Sequence, residues 1–344
     1  MTPTPGAHGA VPASGVLRSR PDDFIVDEQM GFAPDGEGEH LWLQLCKVNW
    51  NTTDLALALA RMAKLPLRAV GYSGLKDRQA VTTQWFSLHL PGREDPDLSA
   101  LPDGVTLVSA ARHRRKLNRG THRANRFDLR LRQADGDVAA VAERAALIRA
   151  QGVPNYFGVQ RFGRYGDNAE RATAWLLGEG EAPRKQALRS LWLSAVRSDL
   201  FNQVLAERVR QDNWQRWLPG DILQLDGRSA LFQGDDDPQV AARVAAGEVH
   251  PTAPLPGDGG MSSSGLCAAL EASVLAPSSA VIAALASHQV SAARRATRLP
   301  VADLQVDWEA DQVLRVQMSL PAGAFATTVL AELVALRQMD NHGE

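Results

Sequence analysis

Asp77 stands between Lys76 and Arg78, just past the Gly-rich turn Gly71-Tyr72-Ser73-Gly74. Flanking cations favour an ionised carboxylate, the form that a nucleophile or general base must have near neutral pH. A surface ion-pair loop has the same composition, so spacing alone leaves both readings open. A second stretch carries Arg112, Arg114, Arg115, Lys116, Arg119, Arg123, Arg126, Arg130 and Arg132, with Asp128 as its one acidic residue. Such a stripe suits a phosphate backbone, and the competing reading is a solvated charged loop. In the third, residues 155–166, Gly and Arg alternate with aromatic residues, a mixture that can stack on and pair with RNA. Asn155, Gln160, Arg161 and Arg164 are its candidate contacts.

Other chemistries are not expected. The eight His show no close ligand pair, and Cys46 and Cys267 are widely separated, so neither a zinc site nor a disulfide framework is indicated. The Gly-rich turns at 71–74 and 257–260 lack the phosphate-cradling GxxxxGK[ST] pattern. The run Asp235-Asp236-Asp237 reads as a solvated loop. Neither metal nor nucleotide cofactor is expected. The formal charge of −2 hides the local basic field, and only five of the 37 cations are Lys.

These residues need a scaffold, and 344 residues suit one large domain or two ordinary ones. Strands are expected at Phe24–Glu28, at His40–Lys47 (Leu41, Leu43 and Leu45 alternating with Trp42, Gln44 and Cys46), at 67–72 and at 83–90. A helix capped at Asn51–Asp54 carries Leu55, Leu59 and Met62. Phe127, Leu129 and Leu131 mark another strand, followed by a helix over 138–150. The middle of the chain is mainly helical, with a hairpin turning at Asp226-Gly227. A capping signal at Asp167 and Glu170 opens one of these helices. Strands return at 304–309 and 314–320, and a final amphipathic helix carries Phe325, Val329, Leu330, Leu333, Val334 and Leu336. Sheet patterns at both ends around a helical middle imply an inserted domain. The expected division is a disordered tail over 1–14, a discontinuous sheet domain over 15–152 and 300–344, and an insertion over 153–299. There is no uninterrupted apolar run of spanning length and no signal-peptide pattern, so a cytoplasmic protein with no membrane association is expected.

Five ordered motifs together resemble the tRNA pseudouridine synthase D (TruD) family. They are Phe24-Ile25-Val26-Asp27-Glu28; Gly71 to Arg78 with Ala80 to Phe86; Lys116-Leu117 through Gly120 to Asn125-Arg126-Phe127; Asn155 to Gly163; and Leu320 to Thr327. The similarity spans about Val16 to Leu336.

The resemblance implies a mixed α+β protein: a discontinuous pseudouridine-synthase-type sheet domain, an inserted α/β TRUD domain, and a cleft between the two. It implies a cofactor-free isomerase acting on tRNA, in this family chiefly at uridine 13, and a monomer is expected. Asp77 would be the catalytic carboxylate, with Lys76 and Arg78 holding and orienting it. Phe24, Phe127 and Phe325 would line the base pocket, and Asn125 would hydrogen-bond the nucleotide. Arg114, Arg115, Lys116, Arg119, Arg123, Arg161 and Arg164 would contact RNA. Two rival readings are a non-enzymatic RNA-binding or RNA-folding protein and a hydrolase pairing Asp77 with a second carboxylate.

Overall fold

The computed structural model describes residues 4–163, 165–234, 238–310 and 312–337. Arg164 and the acidic run Asp235 to Asp237 lie outside the described residues. The chain divides into two compact units. The first contains Pro12–Ala145, Asp303–Gly323 and the stretch from Val334; the second contains the residues up to Val11, Ala146–Ala302 and Ala324–Leu333.

The first unit is built on a sheet. Its strands are β1 (Ala13–Leu17), β2 (Phe24–Gln29), β3 (His40–Val48), β4 (Val70–Tyr72), β5 (Val81–His89), β6 (Val105–His113), β7 (Ala124–Gly136), β8 (Gln305–Ala310), β9 (Val313–Pro321) and β10 (Val334–Arg337). They run in the order β8-β9-β7-β2-β5-β3-β6, with β1 pairing β7 and β10, and β4 pairing β5. The β2–β5 and β1–β10 pairs are parallel, which makes the sheet mixed. Helix α1 (Thr52–Met62) starts where the Asn51 side chain accepts a hydrogen bond from the Asp54 N–H at 2.8 Å. It buries Leu55 and Leu59 against Leu41, Leu43, Leu45 and Phe86. Each such side chain contributes about 1.5–3 kcal/mol of burial. Helix α2 (Val138–Gln151) follows β7.

The second unit holds α3 (Asn168–Leu176), α4 (Gln186–Arg210), α5 (Val240–Ala246), α6 (Gly265–Leu275), α7 (Ser279–Ser287) and α8 (Ala326–Leu333). A small sheet orders Leu231–Gln233, Ile222–Leu225, Val249–Leu255 and Ala293–Ala296 side by side. Phe201, Val204 and Leu205 of α4 pack with Tyr156, Phe162 and Trp214. Residues 265–287 together are long and apolar enough to span a membrane by length and composition alone. The stretch is broken by a 3-10 turn at Pro277, and its buried Glu271 is ion-paired with Arg294.

Several elements differ from the sequence expectation. The expected 67–72 strand forms only over Val70–Tyr72, after a 3-10 turn at Leu67–Ala69. Strand β6 has a largely exposed 105–111 segment and offers no apolar alternation to read. The Asp167 side chain makes no capping hydrogen bond to α3. The final helix stops at Leu333, and Val334–Arg337 is a strand because β1 offers it a parallel partner. The opening residues are held rather than loose: the Ala7 and His8 N–H groups donate to Glu332 at 2.9 and 3.2 Å, and Ala13 and Ser14 belong to β1.

Candidate active site

Strands β2 and β7 pair with Val26 opposite Phe127 and Glu28 opposite Asn125. Because alternate residues share a face, Phe24, Glu28, Asn125 and Phe127 point to one side of the sheet. The turn between β4 and β5 carries Asp77. Its approach is close: a Cβ on Gly71 would lie 2.5 Å from Ser87 Oγ and closer still to the Leu117 carbonyl oxygen. Only glycine fits there.

Arg18 Nη2 forms an ion pair with Asp77 Oδ2 at 2.8 Å, and the Arg18 guanidinium lies 4.1 Å from the Phe24 ring centroid. Phe24 in turn meets Phe127 edge-on, with centroids 6.2 Å apart. The Asp77 side chain is 46 % exposed, so a ligand can reach the carboxylate, while both rings are largely buried. Arg18 adopts φ 65°, a left-handed backbone unusual for a residue with a side chain. From below, Lys47 Nζ donates to the carbonyls of Trp50 (2.5 Å) and Asp77 (3.2 Å). Burial, helped by the nearby Lys76 charge, lowers the Lys47 ammonium to about 8.

The two cations expected to hold Asp77 are directed elsewhere. Lys76 Nζ pairs with Glu28 Oε2 at 2.7 Å, and Arg78 Nε donates to the Asn49 carbonyl at 3.1 Å. The Lys76 N–H donates to Thr52 Oγ1, Thr52 Oγ1 to Gln84 Oε1 and Gln84 Nε2 to the Gly74 carbonyl, which ties the turn to α1 and β5. Arg18, from a distant segment, is thus the cation paired with the Asp77 carboxylate, while Lys47 reaches the Asp77 backbone carbonyl and Glu28 holds Lys76. Burial raises the Glu28 carboxyl above its ordinary range despite the attraction of Lys76.

Next to Lys76 lies a second polar set. His122 Nδ1 is 2.5 Å from Ser73 Oγ, and Asn125 Nδ2 is 3.3 Å from His122 Nε2. Burial and the Lys76 ammonium lower His122 to about 4. Between that value and the unfolded one near 6.5, the unfolded chain binds more protons, so stability rises with pH through this window. We expect stability to fall on acidification from about pH 6.5 to about pH 4, and His122→Leu to remove on the order of 2–3 kcal/mol of that fall. Urea melts of both proteins at several pH values measure the difference.

The basic stretch is partly neutralised from outside itself. Arg112 pairs with Asp95 (2.6 Å), Arg130 with Glu309 (2.9 Å), Arg132 with Asp23 (2.8 Å), and Arg114 with Glu37. Lys116 Nζ donates to the Arg68 carbonyl, and the Arg119 guanidinium sits 5.7 Å from the Tyr72 ring centroid. Arg115, Arg119 and Arg123 are exposed. In the second unit, half-buried Phe325 packs on Phe157 at 6.1 Å. Arg161 lies 5.3 Å from the same Phe157 ring and donates to Ser198 Oγ. Asn155 is buried and spends its amide on the Ala296 carbonyl and Arg295.

The arrangement in the sheet unit offers an accessible carboxylate held by one guanidinium, two aromatic edges and an amide on the same sheet face. Such a set can take a flat heterocycle and act on the sugar or base attached to it. A separate open depression lined by Met62, Lys64, Arg93 and Asp97 includes none of these residues. Among the described residues, no group of three or more His, Cys, Asp or Glu could hold a metal ion.

The model of the family "tRNA pseudouridine synthase D (TruD)" matches residues 7–180 and 183–333. A tRNA pseudouridine synthase D of Ectopseudomonas mendocina is 44 % identical over 333 residues, 96 % of this chain and 94 % of its own. That of Nitrosococcus oceani is 45 % identical over 338 residues, with the same coverage of each chain. A crystal structure from Methanosarcina mazei bearing the same family name shares the fold, with a TM-score of 0.74 at 21 % identity over 95 % of each chain. With the family model and both relatives matched nearly end to end, the chain belongs to the tRNA pseudouridine synthase D family.

Proposed function

We propose that this protein isomerises uridine to pseudouridine in tRNA, at position 13, with Asp77 as the catalytic carboxylate. The observation that carries the residue assignment is the exposed Asp77 carboxylate paired with Arg18, whose guanidinium lies over the Phe24 ring that meets Phe127 edge-on. In the reaction the N1–C1′ bond breaks and a C5–C1′ bond forms. The C5 proton leaves and N1 gains one, so the product is an isomer and no redox partner or cofactor enters. Asp77 serves either by attacking the nucleoside or by removing a sugar proton, and both routes require a carboxylate at the target.

The target base must leave its stack to reach Asp77. Phe24, Phe127 and Phe325 supply aromatic surface and Asn125 a hydrogen bond. Arg18 orients the carboxylate, while Lys76 and Arg78 act through the turn that carries it. Arg114, Arg115, Lys116, Arg119, Arg123, Arg161 and Arg164 contact the RNA, chiefly its phosphates. The protein works as a cytoplasmic monomer.

Mapping pseudouridine in tRNA from cells lacking the protein, with and without the gene restored, tests this reading. The modification at position 13 is expected to vanish and return; an unchanged position 13 overturns the site assignment.

A further inference from the structure

Asn125 is only 9 % exposed, and its side-chain Oδ1 is buried without a hydrogen-bond partner. A buried acceptor left unmade is costly, and here it sits on the sheet face shared with Phe24 and Phe127. The other end of the amide is engaged. Asn125 Nδ2 lies 3.3 Å from His122 Nε2, and because an amide nitrogen can only donate, the contact is a hydrogen bond in the tautomer whose Nε2 carries no proton. A neutral imidazole then carries its proton on Nδ1, which faces Ser73 Oγ at 2.5 Å and donates to it. Ser73 Oγ also accepts the His122 backbone N–H at 2.7 Å, so both of its lone pairs are directed at His122.

We propose that His122 is a positioning residue that holds the Asn125 amide so that Oδ1, not Nδ2, meets the target uridine and accepts a hydrogen bond from it. The proposal rests on the reading of Asn125 as a nucleotide contact. Turning the amide over would set Oδ1 against the unprotonated Nε2, acceptor against acceptor. The charged groups facing the imidazole are Lys76 and, through it, Glu28. Gly74 leaves the space between them open: a Cβ there would lie 3.1 Å from His122 Cε1 and 3.3 Å from Lys76 Nζ. The Lys76 ammonium thus opposes protonation of Nε2, which would convert it to a donor and reverse the amide. A uridine has two donors that Oδ1 could accept, the base N3–H and the ribose 2′-OH.

The test compares wild type, His122→Leu and His122→Gln on tRNA carrying uridine, N3-methyluridine or 2′-deoxyuridine at the target position. We expect His122→Leu to slow single turnover about 10- to 100-fold at nearly unchanged tRNA affinity. His122→Gln, whose Oε1 can again accept from Nδ2, is expected to recover to within about threefold of wild type. Wild type is expected to reject one analogue, N3-methyl if Oδ1 reads the base and 2′-deoxy if it reads the sugar, and His122→Leu to lose that discrimination. Nitrogen-15 spectra of the full chain are expected to show the Nδ1–H tautomer of His122. An Nε2–H tautomer, equal effects of Leu and Gln, or equal use of all three nucleosides by wild type overturns the proposal. Asp77→Asn run alongside separates the failures. Full activity of that variant overturns the underlying reading, whereas an inactive Asp77→Asn with a fully active His122→Leu overturns only the role of His122.

Discussion

Asp77→Asn is expected to slow pseudouridine formation by at least about 10³-fold, within the range lost when a group that transfers protons in the transition state is removed. The amide keeps the shape of the carboxylate and can still accept from Arg18, but it can neither attack a nucleoside nor take a proton from it. Binding is expected to stay within about threefold, because tRNA affinity comes chiefly from phosphate contacts spread over many cations. The fold should also survive. The Arg18–Asp77 pair is 28 % and 46 % exposed, and surface pairs of this kind are worth about 0–1 kcal/mol. Release of tritium from C5-labelled uridine in tRNA measures the chemistry, and filter binding measures the affinity. A variant retaining a tenth or more of the wild-type rate would show that the carboxylate does not carry the reaction.

Glu28→Leu is expected to cost about 3–5 kcal/mol of stability, the range for breaking a buried ion pair from one side. The Glu28 side chain is 0 % exposed and that of Lys76 7 %, so the stranded ammonium has little water to turn to. Burial raises the Glu28 carboxyl even though Lys76 pulls the other way, so desolvation exceeds the attraction between the two charges. The pair therefore contributes geometry more than stability. The double variant Glu28→Leu/Lys76→Met should regain most of the loss while remaining slow on tRNA, because the turn holding Asp77 loses its tie to β2. Urea melts of the two single variants and the double one give the cycle. A Glu28→Leu protein within 1 kcal/mol of wild type would falsify this account.

Part of the sheet was legible because β7 from Phe127 and β9 from Leu314 alternate apolar and polar residues, the pattern of a strand buried on one face, and because Leu41, Leu43 and Leu45 recur at every second position of β3. The strand β6 was not, since its outer residues carry no such signal. The stretch after Leu333 continues a helical spacing, and only the offered edge of β1 makes it a strand. At the site, Asp77 could be singled out by its motif, but its partner could not. Residues adjacent in sequence, Lys76 and Arg78, point their side chains to Glu28 and to the Asn49 carbonyl, whereas Arg18 arrives from another segment through an unusual backbone conformation. The same non-locality hid Glu37, Asp95, Glu309 and Asp23, which neutralise cations of the basic stretch from outside it. His122 carries no motif of its own; its position becomes informative only once Ser73 and Asn125 lie on either side of it.

The parallel pairing of Ala13 with Val334 through to Val16 with Arg337 has a bearing on how the protein is made. On the ribosome, one edge of β1 waits for its neighbour roughly 15 to 60 s at ordinary elongation rates. Strand β9, which flanks β7, also emerges late, so the sheet beneath Asp77 stays incomplete until Val313–Pro321 has left the exit tunnel. Such long sequence separations slow assembly and leave an open hydrogen-bonding edge for chaperones to shield, so a C-terminal truncation that removes β10 should yield insoluble product rather than a weakly active enzyme.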